Sequence, residues 1–103
     1  MTKSELKQRV SAAIERRGEQ IIAIGDQIRK HPELGFKEVK TARLVEDTLG
    51  GLGLKPQTGL ALTGVRADAP GRAGDGPTFA LLGELDALVV AGHPEGDPAT
   101  CAL

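Results

Sequence analysis

The residues able to do chemistry in this sequence are few, and two of them stand close together. Glu84 and Asp86 flank Leu85 directly after an apolar run. If that run is a strand, alternate side chains share a side, and the two carboxylates project together with Cα atoms roughly 7 Å apart at ~3.3 Å per residue. Carboxylates at the carboxyl end of a strand lie where open α/β sheets bind ligands. They could coordinate a metal, orient a metal-bound histidine, or serve as acid and base. The plain alternative is a strand end turning into solvent with two ordinary acidic residues. The other candidates are isolated. His31 precedes Pro32 and reads as a structural connector between helices; His93, in Gly92-His93-Pro94, reads as a loop residue that could border a substrate site. Cys101 is the single cysteine, which excludes an internal disulfide and a cysteine-based zinc site.

Composition narrows the partners. The chain has 103 residues, enough for one small domain, with 40% hydrophobic and 26% charged residues. Net charge is -1, so nothing calls for a polyanionic partner. Ten of the 13 Lys and Arg residues lie at or before Arg43, where they read as solvated helix faces. Without Trp or Tyr for base stacking, and with no basic cluster denser than Arg16-Arg17, nucleic-acid binding is not expected. No apolar run approaches the ~20 residues of a membrane span, and the start lacks the order of a signal peptide, so a cytoplasmic protein is expected.

The elements that must position the carboxylates follow from periodicity. Thr2-Lys3-Ser4-Glu5 fits a capping box at a helix start. Leu6, Val10, Ile14, Ile21, Ile24 and Ile28 recur at helical spacing up to Lys30, where His31-Pro32 ends the pattern. A continuous helix of that length measures ~40 Å at ~1.5 Å per residue, too long for this chain to cover alone, although Gly18 or Gly25 could break it. A second helix carries Ala42, Val45, Leu49 and Leu52 and ends at Gly50, Gly51 and Gly53. Strands are expected at 54–58 and 64–67, then a Gly-rich polar loop over 68–77. Residues 78–83, Thr-Phe-Ala-Leu-Leu-Gly, read as a strand buried on both faces. Such a strand needs neighbours on both edges and layers on both faces. Two helices and two weak strands hardly supply them, which points to a piece of a larger α/β domain.

Three stretches in order carry a family resemblance. His31-Pro32-Glu33-Leu34-Gly35-Phe36, followed by Glu38 and Thr41-Ala42, is the first. Gly51-Leu52-Gly53-Leu54 with Thr58-Gly59 and Thr63-Gly64-Val65 is the second, and Leu82-Gly83-Glu84-Leu85-Asp86-Ala87-Leu88 the third. Together they resemble the early part of metal-dependent amidohydrolases of the aminoacylase/carboxypeptidase type, in the branch of hippurate, indole-acetyl-amino-acid and aminobenzoyl-glutamate hydrolases. The resemblance implies an α/β fold, here part of a three-layer zinc-exopeptidase-like catalytic domain, with two helices followed by the first strands of its central sheet. It implies two divalent metals, zinc or manganese, that polarise a carbonyl and activate water while a Glu acts as base. The substrate would be an N-acyl amino acid or peptide-like amide, and the complete protein a homodimer.

Residue by residue, the resemblance makes Asp86 the strand-end carboxylate that supports the metal site. Glu84 takes a position where other branches place a metal-binding His, and is site-proximal. In this branch the first ligands come from a later His-Ala-Cys-Gly-His motif. Cys101 is followed by no Gly-His, so it is not read as a ligand. Residues 1–103 are therefore expected to be the amino-terminal part of the catalytic domain, cut before the metal-ligand motif, with no metal ligand and no activity alone. The competing reading is a small self-contained interaction module that presents the Ile/Leu/Val stripe of its first helix to a partner; a structural subunit pairing with a separately encoded remainder is a third.

Overall fold

A computed structural model of the chain describes residues 1–96 and Ala99. It divides into two compact units, Met1–His31 and Pro32–Leu103.

The first unit is helical. Helix α1 spans Lys3–Arg16 and begins with the expected capping box: Thr2 Oγ1 accepts the Glu5 N–H at 3.1 Å, and the Glu5 carboxylate accepts the Thr2 N–H at 2.6 Å. The Thr2 backbone N–H, and after it the Thr2 side chain, hold the Glu5 carboxyl below its ordinary value. The expected continuous helix is instead two. Arg17 leaves helical geometry at φ -100°, ψ 5°, and α2 runs Gly18–Lys30. Of the two glycines that could break the pattern, Gly18 marks the break and Gly25 stays helical. Near the end of α2, Asp26 pairs with Arg29 at 2.9 Å and Lys30 at 3.1 Å, one turn on. No residue of either helix is buried, and Leu6, Val10, Ile14, Ile21 and Ile22 are all exposed.

In the second unit, α3 spans Val39–Gly51. Its C-terminus closes as a Schellman motif: the Leu54 N–H reaches Leu49 O at 3.1 Å and the Gly53 N–H reaches Gly50 O at 3.0 Å. Gly53 takes the required left-handed turn at φ 85°, a conformation that costs a side-chain-bearing residue but not glycine.

Two short strands follow, β1 at Gln57–Leu60 and β2 at Gly64–Arg66, paired antiparallel. Gln57 faces Arg66 and Leu60 faces Gly64, so β1 carries one extra residue and bulges, with Gly59 at φ 71°. The three-residue turn between them places Ala61 at φ 46° and Leu62 at φ 81°, two successive positive angles that side-chain-bearing residues rarely adopt. Helix α3 packs on both strands. Ala42, Leu44, Val45, Leu49, Leu54 and Val65 are half-buried between them.

Residues 78–83 correct the sequence expectation. They form no strand and lie in solvent, with Phe79 88% and Leu82 98% exposed. The apolar pattern is that of a doubly covered strand, yet the β1–β2 ladder does not extend to them and no residue of 78–83 pairs with a strand. The expected plan of two helices leading into a central sheet is thus three helices and one hairpin, the α/β beginnings of a domain.

Candidate functional site

The buried positions of the second unit form a polar cluster that joins the three motif stretches. The N-terminus of α3 starts the arrangement. Its first N–H groups have no partner within the helix, and the residue at the cap, Glu38, makes no capping bond. Glu33 caps from outside. Its Oε2 accepts the Lys40 N–H at 3.0 Å, and its Oε1 accepts both the Thr41 N–H at 2.6 Å and the Thr41 hydroxyl at 2.8 Å. A carboxylate here also sits at the positive end of the helix dipole. Burial works against the charge on Glu33, but the bonds from Lys40 and Thr41 and the Lys40 charge outweigh it, so the carboxyl titrates below its ordinary range.

Glu38, freed from capping, turns to the hairpin. Its Oε2 accepts the Thr63 hydroxyl at 2.6 Å, tying the β1–β2 turn to the start of α3. The Thr63 hydroxyl holds the Glu38 carboxyl low, against its burial and the neighbouring Glu33 charge. Glu38 and Thr41 are both buried, at 7% and 3% exposure. The chain reaches this point through a turn closed by the Lys37 N–H on Leu34 O at 2.9 Å, with Phe36 at φ 62°.

The third stretch joins through the backbone. The Ala87 N–H donates to Glu33 O at 2.8 Å, and Ala87 is buried. Exposure alternates along this segment: Glu84, Asp86 and Leu88 are exposed, while Leu85 is half-buried and Ala87 buried. The strand end from which Glu84 and Asp86 were expected to project is not formed, and both side chains are exposed. Neither carboxylate makes a hydrogen bond or ion pair among the described residues.

The other candidates lie elsewhere. His31 is the exposed C-cap of α2, its N–H on Ile28 O at 3.1 Å. His93 is exposed and its Nδ1 accepts the Glu95 N–H at 3.0 Å, which makes it the anchor of a local turn. Cys101 falls outside the described residues. Among those described, no three His, Cys, Asp or Glu side chains converge as a metal would need. These residues do not by themselves fit a metal centre.

Sequence reasoning missed Glu33, Glu38, Thr41 and Thr63 as a connected set. One signal was available. Glu38, just before α3, is not a preferred capping residue, so the helix start had to find its partner elsewhere, and Glu33 is the nearest carboxylate upstream.

Known proteins similar to this chain are hydrolases for the most part. The chain is 37% identical over 75 residues to thermostable carboxypeptidase 2 of Saccharolobus solfataricus, a match covering 68% of the chain and 18% of that protein. It is 36% identical over 70 residues to IAA-amino acid hydrolase ILR1-like 5 of Arabidopsis thaliana, covering 68% of the chain and 16% of that protein. With the putative amidohydrolase YhaA of Bacillus subtilis it shares 31% identity over 90 residues, 87% of the chain and 22% of that protein. A differently named relative, the putative glutamate--cysteine ligase 2-3 of Rhodococcus jostii, is 42% identical over 64 residues but is covered over 8% of its length. The chain thus spans less than a quarter of each of these relatives. No family model matches it, and no solved structure does. The carboxypeptidase and amidohydrolase names support a segment of amidohydrolase and peptidase type. No described helix is long and apolar enough to cross a membrane.

Proposed function

We propose that this chain is a segment of the catalytic domain of a metal-dependent amidohydrolase that cleaves N-acyl-amino-acid or peptide-like amide bonds. The observation that carries the reading is the convergence of the three motif stretches. Each is modest alone, yet Glu33, Glu38, Thr41, Thr63 and Ala87 bond them into one cluster, and the similarity spans 68% of the chain for the carboxypeptidase and 87% for the amidohydrolase. The cluster leaves Glu84 and Asp86 facing outward from an anchored backbone, available to a site completed by residues beyond those described. Asp86 is the supporting carboxylate in this reading, and Glu84 lies near the site without touching a metal. Zinc or manganese would supply the polarised carbonyl and activated water when bound. The described residues contribute no donor set of their own, so no step is assigned to them through the metal. The complete enzyme would be cytoplasmic and dimeric.

The test uses the complete polypeptide with N-acyl amino acids as substrates and zinc or manganese at saturation. Asp86→Ala is expected to lower hydrolysis at least about tenfold, the usual effect of losing a carboxylate that orients a metal ligand. The melting temperature of the metal-free protein should change little, because Asp86 is exposed and makes no bond among the described residues. Glu84→Gln should be milder. Full activity in Asp86→Ala removes the assignment, and an equally severe loss in Glu84→Gln exchanges the two roles.

A further inference from the structure

We infer that Glu33 is a positioning residue for the Glu84-Leu85-Asp86 segment, acting through its own backbone carbonyl. The inference rests on the functional reading above and adds a residue to it. The carboxylate of Glu33 is fixed by three donors at the start of α3: the Lys40 N–H, the Thr41 N–H and the Thr41 hydroxyl. A residue held at its side chain has little freedom at its main chain, and the Leu34–Lys37 turn closes the intervening loop further. The carbonyl of this immobilised residue receives the Ala87 N–H at 2.8 Å, one residue past Asp86. The same glutamate therefore caps a helix with its side chain and pins the acidic segment with its backbone.

The pin sets more than position. Side chains alternate along an extended segment, so a slip of one residue would turn Asp86 inward and Leu85 outward. Fixing Ala87 in a buried place holds Asp86 on the exposed side. Residues 67–83 give this register no support, since they form no helix or strand and those from Asp68 onward are exposed.

The experiment compares the complete polypeptide with Glu33→Ala, Glu33→Gln and Thr2→Ala variants. Thr2→Ala is the control: it also removes a helix cap, but from α1 in the other unit. Two readouts are taken, hydrogen exchange at the Ala87 amide and the separate kcat and KM for an N-acyl amino acid. Glu33→Ala should speed Ala87 exchange at least about fivefold, the size expected from losing a cap worth ~1 kcal/mol. It should lower kcat by about tenfold, as for a misplaced second-layer carboxylate, with KM nearly unchanged. Glu33→Gln keeps one acceptor oxygen and should fall between. Thr2→Ala should leave both readouts as in the parent. Unchanged Ala87 exchange in both Glu33 variants overturns the positioning role, whatever the activity does. Faster exchange with kcat unchanged, while Asp86→Ala is impaired, overturns it too and leaves the hydrolase reading standing. If the parent hydrolyses no amide, the hydrolase reading fails, and the positioning of Asp86 for it fails with it; the exchange data then establish the pin as a structural contact alone.

Discussion

Glu33→Gln should make the second unit less stable, and the loss should itself depend on pH. The wild-type carboxylate satisfies three donors. Lys40 is exposed, so water can replace the bond to its N–H at little cost. Thr41 is 3% exposed, so its N–H and hydroxyl cannot be rehydrated without opening the start of α3. A glutamine can keep its carbonyl oxygen on the Thr41 N–H and hydroxyl, which share one acceptor, and turn its amide NH₂ toward the exposed Lys40 N–H. The buried donors then keep a partner, and what is lost is the charge that strengthens those bonds and faces the helix dipole. The expected decrease is about 1 kcal/mol near neutral pH.

The sign with pH follows from the direction of the shift. The folded-state carboxyl of Glu33 titrates below its ordinary value of 4.5, so its stabilisation is fully present above about that pH. It is lost as pH falls through the lower folded-state value, where wild type and variant converge. Urea unfolding followed by circular dichroism at neutral pH and near pH 3, in the complete polypeptide, measures both. A neutral-pH difference under about 0.5 kcal/mol would refute the capping argument, since even a weak cap contributes that much. A difference of equal size at both pH values would refute the assignment of the charge.

Two further predictions concern the hairpin. A Cβ on Gly64 would lie 2.5 Å from the carbonyl oxygen of Leu60, its own cross-strand partner, so Gly64→Ala should cost about 1–3 kcal/mol in the same urea assay, as overpacking against backbone does. The turn carries the opposite opportunity. Ala61 and Leu62 both occupy positive φ, where Asn-Gly is the favoured pair, so Ala61→Asn combined with Leu62→Gly should stabilise the hairpin by ~1 kcal/mol, read as a raised urea midpoint with an unchanged slope.

What the sequence made legible was whatever is decided locally. The capping box at Thr2 and Glu5, the helix end at His31-Pro32 and the glycine closure after α3 depend on residues within one turn of each other, and all three stand as expected. The break at Arg17 was visible as a weakness at Gly18, but periodicity cannot choose between a kinked helix and a straight one. The strand at 78–83 failed for a different reason. Its apolar run reports the environment the segment is suited to, and a strand exists only when a partner supplies the ladder. Pattern and partner are separate conditions, and the described residues meet the first alone.

The candidate site shows the same division. Glu84 and Asp86 could be picked out by type and spacing, because alternation is a local property. Their support could not. Glu33 and Thr41 are eight residues apart, Glu38 and Thr63 twenty-five, and Glu33 and Ala87 are joined by a backbone bond that no side-chain pattern records. The identities of Glu33 and Glu38 nevertheless have a physical account once the structure is known. Two carboxylates near a helix start invite the reading of a catalytic pair, and here neither is free for such work. One is consumed by the helix N–H groups and the other by a threonine hydroxyl, and both titrate low because those donors favour the charged form. A group poised to exchange protons near neutral pH would need the opposite shift. The carboxylates of the proposed site, Glu84 and Asp86, are by contrast exposed and unbonded among the described residues, and the Glu33 carbonyl holds the backbone beside them at Ala87.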